Sequence, residues 1–161
     1  MTQSLVQIYV HLIFITQGRS MWIKPSIEAK LYAYIGGIMR NKKSFLIDLG
    51  GIENHIHLVI RLHQDEALSA LVRDLKACSS AWLKNQVPHF AWQAGYGGFS
   101  CSKSHLSALL SYVRRQKEHH HSQSCDEELD DLAGKWGFRW YWDDESQTQG
   151  WEPAALPGSE P

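Results

Sequence analysis

The stretch ENHIHLVIRLH, residues 53–63, carries two histidines one residue apart, His55 and His57. Imidazole is the commonest side-chain ligand for divalent cations. In an extended chain side chains alternate, so His55, His57, Val59 and Arg61 share one face and Ile56, Leu58, Ile60 and Leu62 the other. The apolar set should face a core, which points both imidazoles the same way. They are then ~6.6 Å apart along the strand, and leaning rings can reach one cation. A solvated polar face would show the same pattern, and the spacing alone leaves both readings open. Two histidines also leave a metal site short of ligands, so another element must supply more.

A third alternating histidine would point to nucleotide hydrolysis by a histidine triad, but position 59 is Val. The missing ligand is better sought in SALLSYVRRQKEHH, where Leu106, Leu109, Leu110 and Val113 form an apolar helical stripe. Tyr112 and Gln116 are four residues apart, one turn above the other, and His105 and His119 share their flank. Glutamine offers an oxygen to a hard cation, and tyrosine a phenol that attacks an electrophile held close to it. The plainer reading of Tyr112 is an amphipathic residue at a core edge. His119, His120 and His121 read as a fraying helix end rather than a second metal site.

These residues need a scaffold. LVQIYVHLIFIT (5–16) reads as a central strand covered on both faces. Residues 25–43 have Ile27, Leu31, Tyr34, Ile35 and Ile38 at helical spacing, with Pro25 at the start. SFLIDLGGI (44–52) reads as a strand closed by a Gly50–Gly51 turn, making a hairpin with the histidine strand. Asp65 is placed to cap a helix running to about residue 86, and Ser102 or Ser104 to cap one over 103–120. Between them, 88–102 reads as a loop entering a short strand. CDEELDDLAGKWG suggests a short helix and FRWYW a strand or docking segment. This order predicts an α+β fold, an antiparallel ferredoxin-like sheet covered by helices. One domain over 1–142 is expected, followed by a loose acidic, Pro-rich tail over 143–161.

A chain of 161 residues, 43% hydrophobic and 20% charged, suits one soluble domain with a real core. No apolar run approaches the ~20 residues of a membrane span, and the N-terminus lacks a leader pattern. Cys78, Cys101 and Cys125 form no zinc or disulfide framework, which fits a reducing cytoplasm. Net charge is −1, but its distribution is uneven. Residues 1–125 hold 14 Lys and Arg against 7 Asp and Glu, and residues 126–161 hold 2 against 10. The basic body suits a polyanionic partner.

NHIHLVI, GYGGFSCSKS and YVRRQKEHH, in that order, resemble the HUH (His–hydrophobic–His) single-tyrosine transposases of the smallest bacterial insertion sequences, the IS-two-hundred-like family. YVHLIFIT and WQAGYGGFS extend the resemblance over about residues 8–142, whereas GFRWYW and the tail look less typical. The resemblance implies an HUH endonuclease fold with a projecting tyrosine helix. It implies a transposase that cleaves and rejoins single-stranded DNA at insertion-sequence ends through a 5′-phosphotyrosine. Tyr112 would be the nucleophile and His55, His57 and Gln116 the ligands of one Mg²⁺ or Mn²⁺, with no nucleotide cofactor. The partners implied are single-stranded DNA with subterminal hairpins and a second subunit, the tyrosine helix acting in trans, and no membrane. Arg114, Arg115, Lys117, Arg40, Lys42 and Lys43 are candidates for phosphate contact. A domesticated hairpin-binding protein is the alternative, and it would need neither the histidine pair nor Tyr112. A hydrolase of small phosphoesters would leave the basic body and the tyrosine unexplained.

Overall fold

The computed structural model describes residues 4–143 and 148–153. The chain folds as two compact units, Met1–Glu118 and His119–Pro161, whereas composition drew its boundary after residue 142.

The first unit is built on β1 (Ile8–Ile15), α1 (Pro25–Arg40), β2 (Phe45–Ile52), β3 (His55–Leu62), α2 (Leu68–Leu83), β4 (Gly97–Cys101) and α3 (Leu106–Arg114). The sheet is antiparallel in the order β2-β3-β1-β4, as expected of the ferredoxin-like arrangement. β1 and β3 are the inner strands, which accounts for their near-continuous apolar runs.

Alternation sorts the two faces of the inner strands. Val10, Leu12 and Phe14 join Ile56, Leu58 and Ile60 in the main core, with Ile27, Leu31 and Ile35 from α1 and Leu71, Val72 and Leu75 from α2. Each fully buried side chain of this kind contributes roughly 1.5–3 kcal/mol relative to exposure. Tyr34 and Trp82 stack between α1 and α2 with ring centroids 5.2 Å apart. The opposite face carries Tyr9, His11 and Ile13 beside His55, His57 and Val59, and it too is buried.

Several boundaries differ from the sequence reading. Gly50 and Gly51 lie inside β2, and the hairpin turns at Glu53–Asn54. A Cβ on Gly50 would fall well inside 3.0 Å of the Val113 carbonyl oxygen, and one on Gly51 would meet the β3 backbone. The glycines therefore serve close packing rather than the reversal of the chain. Asp65 does not cap α2: the N-cap is Ala67, and Asp65 sits in the preceding turn, its amide donating to His63 Nδ1. Neither Ser102 nor Ser104 caps the tyrosine helix, which starts as a 3-10 turn over Lys103–His105. That helix is also not continuous to residue 120. Arg115 leaves helical geometry (φ −99°, ψ 22°), and a four-residue turn, α4 (Gln116–His119), follows.

The second unit contains α5 (Cys125–Lys135) and an antiparallel pair, β5 (Phe138–Asp143) with β6 (Thr148–Pro153). Ser124 caps α5: its hydroxyl accepts from Glu127 N–H while the Glu127 carboxylate accepts from Ser124 N–H. These bonds hold the Glu127 carboxyl below its ordinary range. Where a loose tail was expected from residue 143, Thr148–Pro153 forms a strand because its backbone pairs with β5. Residues 144–147 and 154–161 of that tail lie outside the described residues.

Candidate active site

The histidine pair is positioned by the sheet. β3 begins immediately after the Glu53–Asn54 turn, so His55 and His57 occupy its first and third positions. His55 pairs across the sheet with Ile15 and Ile52, and His57 with Ile13 and Gly50. Both imidazoles are fully buried, which removes the reading of a solvated polar face. Their ring centroids are 5.0 Å apart.

The turn residue Asn54 fixes the first ring. His55 Nδ1 lies 2.7 Å from Asn54 Oδ1, so Nδ1–H donates to that amide oxygen and the lone pair is left on Nε2. His55 Nε2 lies 3.4 Å from Gln116 Oε1. Two atoms that both present lone pairs at this distance match two corners of one coordination shell, since ligands ~2.1 Å from a shared cation are roughly 3.0–3.4 Å apart. Gln116 is itself buried, and the helix break at Arg115 directly precedes it. The donor set, imidazole nitrogens and an amide oxygen, therefore fits a divalent cation.

Tyr112 approaches His57 in its own chain. Its ring stands edge-on to the His57 ring, with centroids 5.7 Å apart and planes at 88°. α3 reaches this depth because Val113 is fully buried against β2 at Gly50, which stands opposite His57 in the sheet. One contact thus sets both the depth of the helix and the height of the phenol over the histidines.

The remaining candidates are more scattered. Arg114 Nε bonds Asp48 Oδ2 at 2.5 Å, just past a register shift in β2, and Arg115 bonds Ser111 on its own helix. Lys117 Nζ pairs with Glu28 of α1 at 2.6 Å. Lys42 pairs with Asp74 at 2.5 Å and Lys43 with Asp65 at 3.6 Å, while Arg40 is exposed at the end of α1. Four of these six cations are thus held by carboxylates. His105 is exposed and bonds Ser102 at 2.9 Å, away from the pair. In the second unit His120 Nε2 lies 2.7 Å from Glu128 Oε2, an ordered contact where a fraying end was expected.

Among the described residues of the first unit, His11, Asn54 and Gly50 contribute to the site and escaped the sequence reading. His11 Nε2 lies 2.7 Å from His57 Nδ1, and the two rings lie end to end, with centroids 5.0 Å apart and planes 20° from parallel. The available signal was a lone histidine in a strand otherwise built to be covered on both faces.

No described helix is long and apolar enough to cross a membrane. A family profile described as "Transposase IS200 like" matches residues 4–116. Among curated protein sequences none matches the chain. Among solved structures, a candidate transposase from Deinococcus radiodurans superposes with a TM-score of 0.58 at 18% identity, covering 72% of this chain and 98% of that one. A REP-associated tyrosine transposase bound to a REP hairpin superposes with a TM-score of 0.58 at 12% identity, covering 74% of this chain and 73% of that one. At such identities the superpositions establish a shared fold, the antiparallel α+β architecture described above. The profile covers well over half of the sequence and includes β1, the histidine strand and the tyrosine helix, so the chain belongs to the IS200-like transposase family.

Proposed function

We propose that this transposase-family protein is a metal-dependent, tyrosine-nucleophile strand transferase acting on single-stranded DNA. The observation that carries the reading is the convergence of Tyr112, Gln116 and the buried histidine pair, drawn from segments more than fifty residues apart. His55, His57 and Gln116 would hold one divalent cation, Mg²⁺ or Mn²⁺. Such a cation neutralises charge that grows on phosphate oxygens during displacement.

The chain's own groups do the rest. The Tyr112 hydroxyl oxygen bonds to phosphorus as the bond to the 3′ oxygen breaks. The phenolic proton passes to solvent, the departing 3′ oxygen takes up a proton from solvent, and the strand that carries the 5′-phosphate stays linked to Tyr112. A free phenol has a pKa of about 10, so fixed placement must offset a weak ground-state nucleophile. Return attack by a 3′-hydroxyl reforms the phosphodiester and releases the tyrosine. The bond energy is retained throughout, and no nucleotide cofactor enters.

The hairpin bound by the REP-associated neighbour supports a DNA hairpin as the element recognised beside the cleavage site. A domesticated hairpin-binding protein is the second reading; the Tyr112 and Gln116 placements count against it. The resemblance to the family implies a homodimer with the tyrosine helix acting in trans, whereas Tyr112 of a single chain already stands at its own His57. That contact supports action in cis. Mixing His57→Ala with Tyr112→Phe subunits distinguishes the two: cis action predicts no cleavage, and restored cleavage establishes trans.

The principal test tiles labelled single-stranded oligonucleotides across the DNA flanking the gene, in Mg²⁺ or Mn²⁺. A protein–DNA adduct that survives SDS is expected with the wild type and lost in Tyr112→Phe, with hairpin binding kept. Hairpin binding without any adduct in the wild type would favour the domesticated reading.

A further inference from the structure

His11 lies on β1, nearly fully buried, paired across the sheet with Val59 and therefore diagonal to His57 on the same face. Its Nε2 is 2.7 Å from His57 Nδ1, and the planes are only 20° from parallel. Two neutral imidazoles at this distance share one proton, and they can do so in two ways. If His11 Nε2–H donates, the proton of His57 must sit on Nε2, and the nitrogen needed for a cation is blocked. If His57 Nδ1–H donates, its Nε2 carries a lone pair.

The neighbouring ring shows the same device. Asn54 Oδ1 accepts from His55 Nδ1 and leaves Nε2 for the side facing Gln116. Histidines that ligate metals usually donate their second N–H to a carboxylate, carbonyl or water, which sets tautomer and ring orientation together. His57 has an imidazole in that place.

We propose that His11 is the positioning residue of the site: it accepts the Nδ1 proton of His57, fixes the tautomer that presents Nε2, and through that bond holds the two rings nearly coplanar. This rests on the reading of His55, His57 and Gln116 as a cation site. His11 is not itself a ligand in this arrangement. His11 also lies beside Tyr112, whose ring stands edge-on to it with centroids 6.3 Å apart and planes at 82°. Through these contacts β1 sets the orientation of the ligand from β3 under the phenol from α3.

The test has two readouts, neither of them cleavage. In the metal-free protein, nitrogen-15 NMR of the histidine rings should show His57 protonated at Nδ1 and bare at Nε2. The opposite tautomer overturns the proposal. Mn²⁺ binding is then measured by electron paramagnetic resonance for wild type, His11→Phe, His11→Gln and His57→Ala, with hairpin binding in EDTA as the check on folding. Phenylalanine keeps an aromatic ring at the position without an acceptor and should weaken Mn²⁺ binding about 10–100-fold, while glutamine, whose Oε1 can accept from Nδ1, should recover most of it. Wild-type affinity in His11→Phe overturns the proposal. A wild type that binds no Mn²⁺ sinks the cation reading instead, and the NMR result still decides what His11 does to His57. If His11→Phe fails to fold, the wild-type tautomer and His11→Gln decide the matter.

Discussion

Gly50→Ala should separate the positioning of the tyrosine from every residue that could perform chemistry. Gly50 is buried in β2, directly opposite His57, and its missing Cβ is the space into which the Val113 carbonyl projects. An added methyl would meet that oxygen well inside 3.0 Å, and ordinary contact starts near 3.4 Å. The obstacle is backbone, so it cannot rotate away: α3 must retreat by roughly 1 Å, at a cost of about 1–3 kcal/mol for an overfilled interior. Tyr112 precedes Val113 and would move with it. A misplacement on the order of 1 Å costs about 100-fold in rate when a nucleophile has to lie in line with its target. The assay is single-turnover cleavage of a hairpin-bearing oligonucleotide, with hairpin affinity measured in parallel. The expectation is cleavage reduced about 100-fold and hairpin affinity nearly unchanged. Cleavage at the wild-type rate in a folded Gly50→Ala protein would refute the claim that this contact sets the height of the phenol.

Other expectations follow from the same structure. Gln116→Ala should weaken Mn²⁺ binding by at least about tenfold while leaving the fold intact, because His55 Nε2 would lose the facing oxygen; calorimetric titration reads this, and unchanged affinity would remove Gln116 from the site. Burial, with the Glu28 carboxylate second, raises the Tyr32 phenol far above its ordinary pKa. A raised folded-state pKa gives stability that is complete below the unfolded value of about 10 and is lost as pH rises past it. Urea unfolding should therefore show stability falling between about pH 9 and 11, on the order of 1 kcal/mol per pH unit from this group, and Tyr32→Phe should flatten that slope. Ser124→Ala should cost about 1 kcal/mol in the second unit by removing the α5 cap, read from urea unfolding, whereas Ser102→Ala should cost little because that hydroxyl caps no helix.

Much of the arrangement was legible in the residues because alternation and burial agree. The apolar partners of His55 and His57 in β3 faced the main core as expected, and the order of strands and helices gave the sheet its topology. The depth of the histidine face was not legible, since what covers a strand depends on segments that fold onto it from far along the chain. His11 was not singled out because its partner is forty-six positions away and only the antiparallel register brings them together. Gly50–Gly51 read as a turn because glycine pairs often make turns; here they yield to a close approach that no local pattern reveals. The α3 break at Arg115 was hidden for a related reason. Its sequence is a good helix former, and the interruption coincides with the burial of Gln116 beside His55.

The most direct check on the cation site is the position of Mn²⁺ in crystals of the protein, found by anomalous scattering at the manganese edge. The expected result is a peak within bonding distance of His55 Nε2, His57 Nε2 and Gln116 Oε1, on the side facing the Tyr112 hydroxyl. A fully occupied peak bonded to other residues, with these three atoms left unliganded, would contradict it.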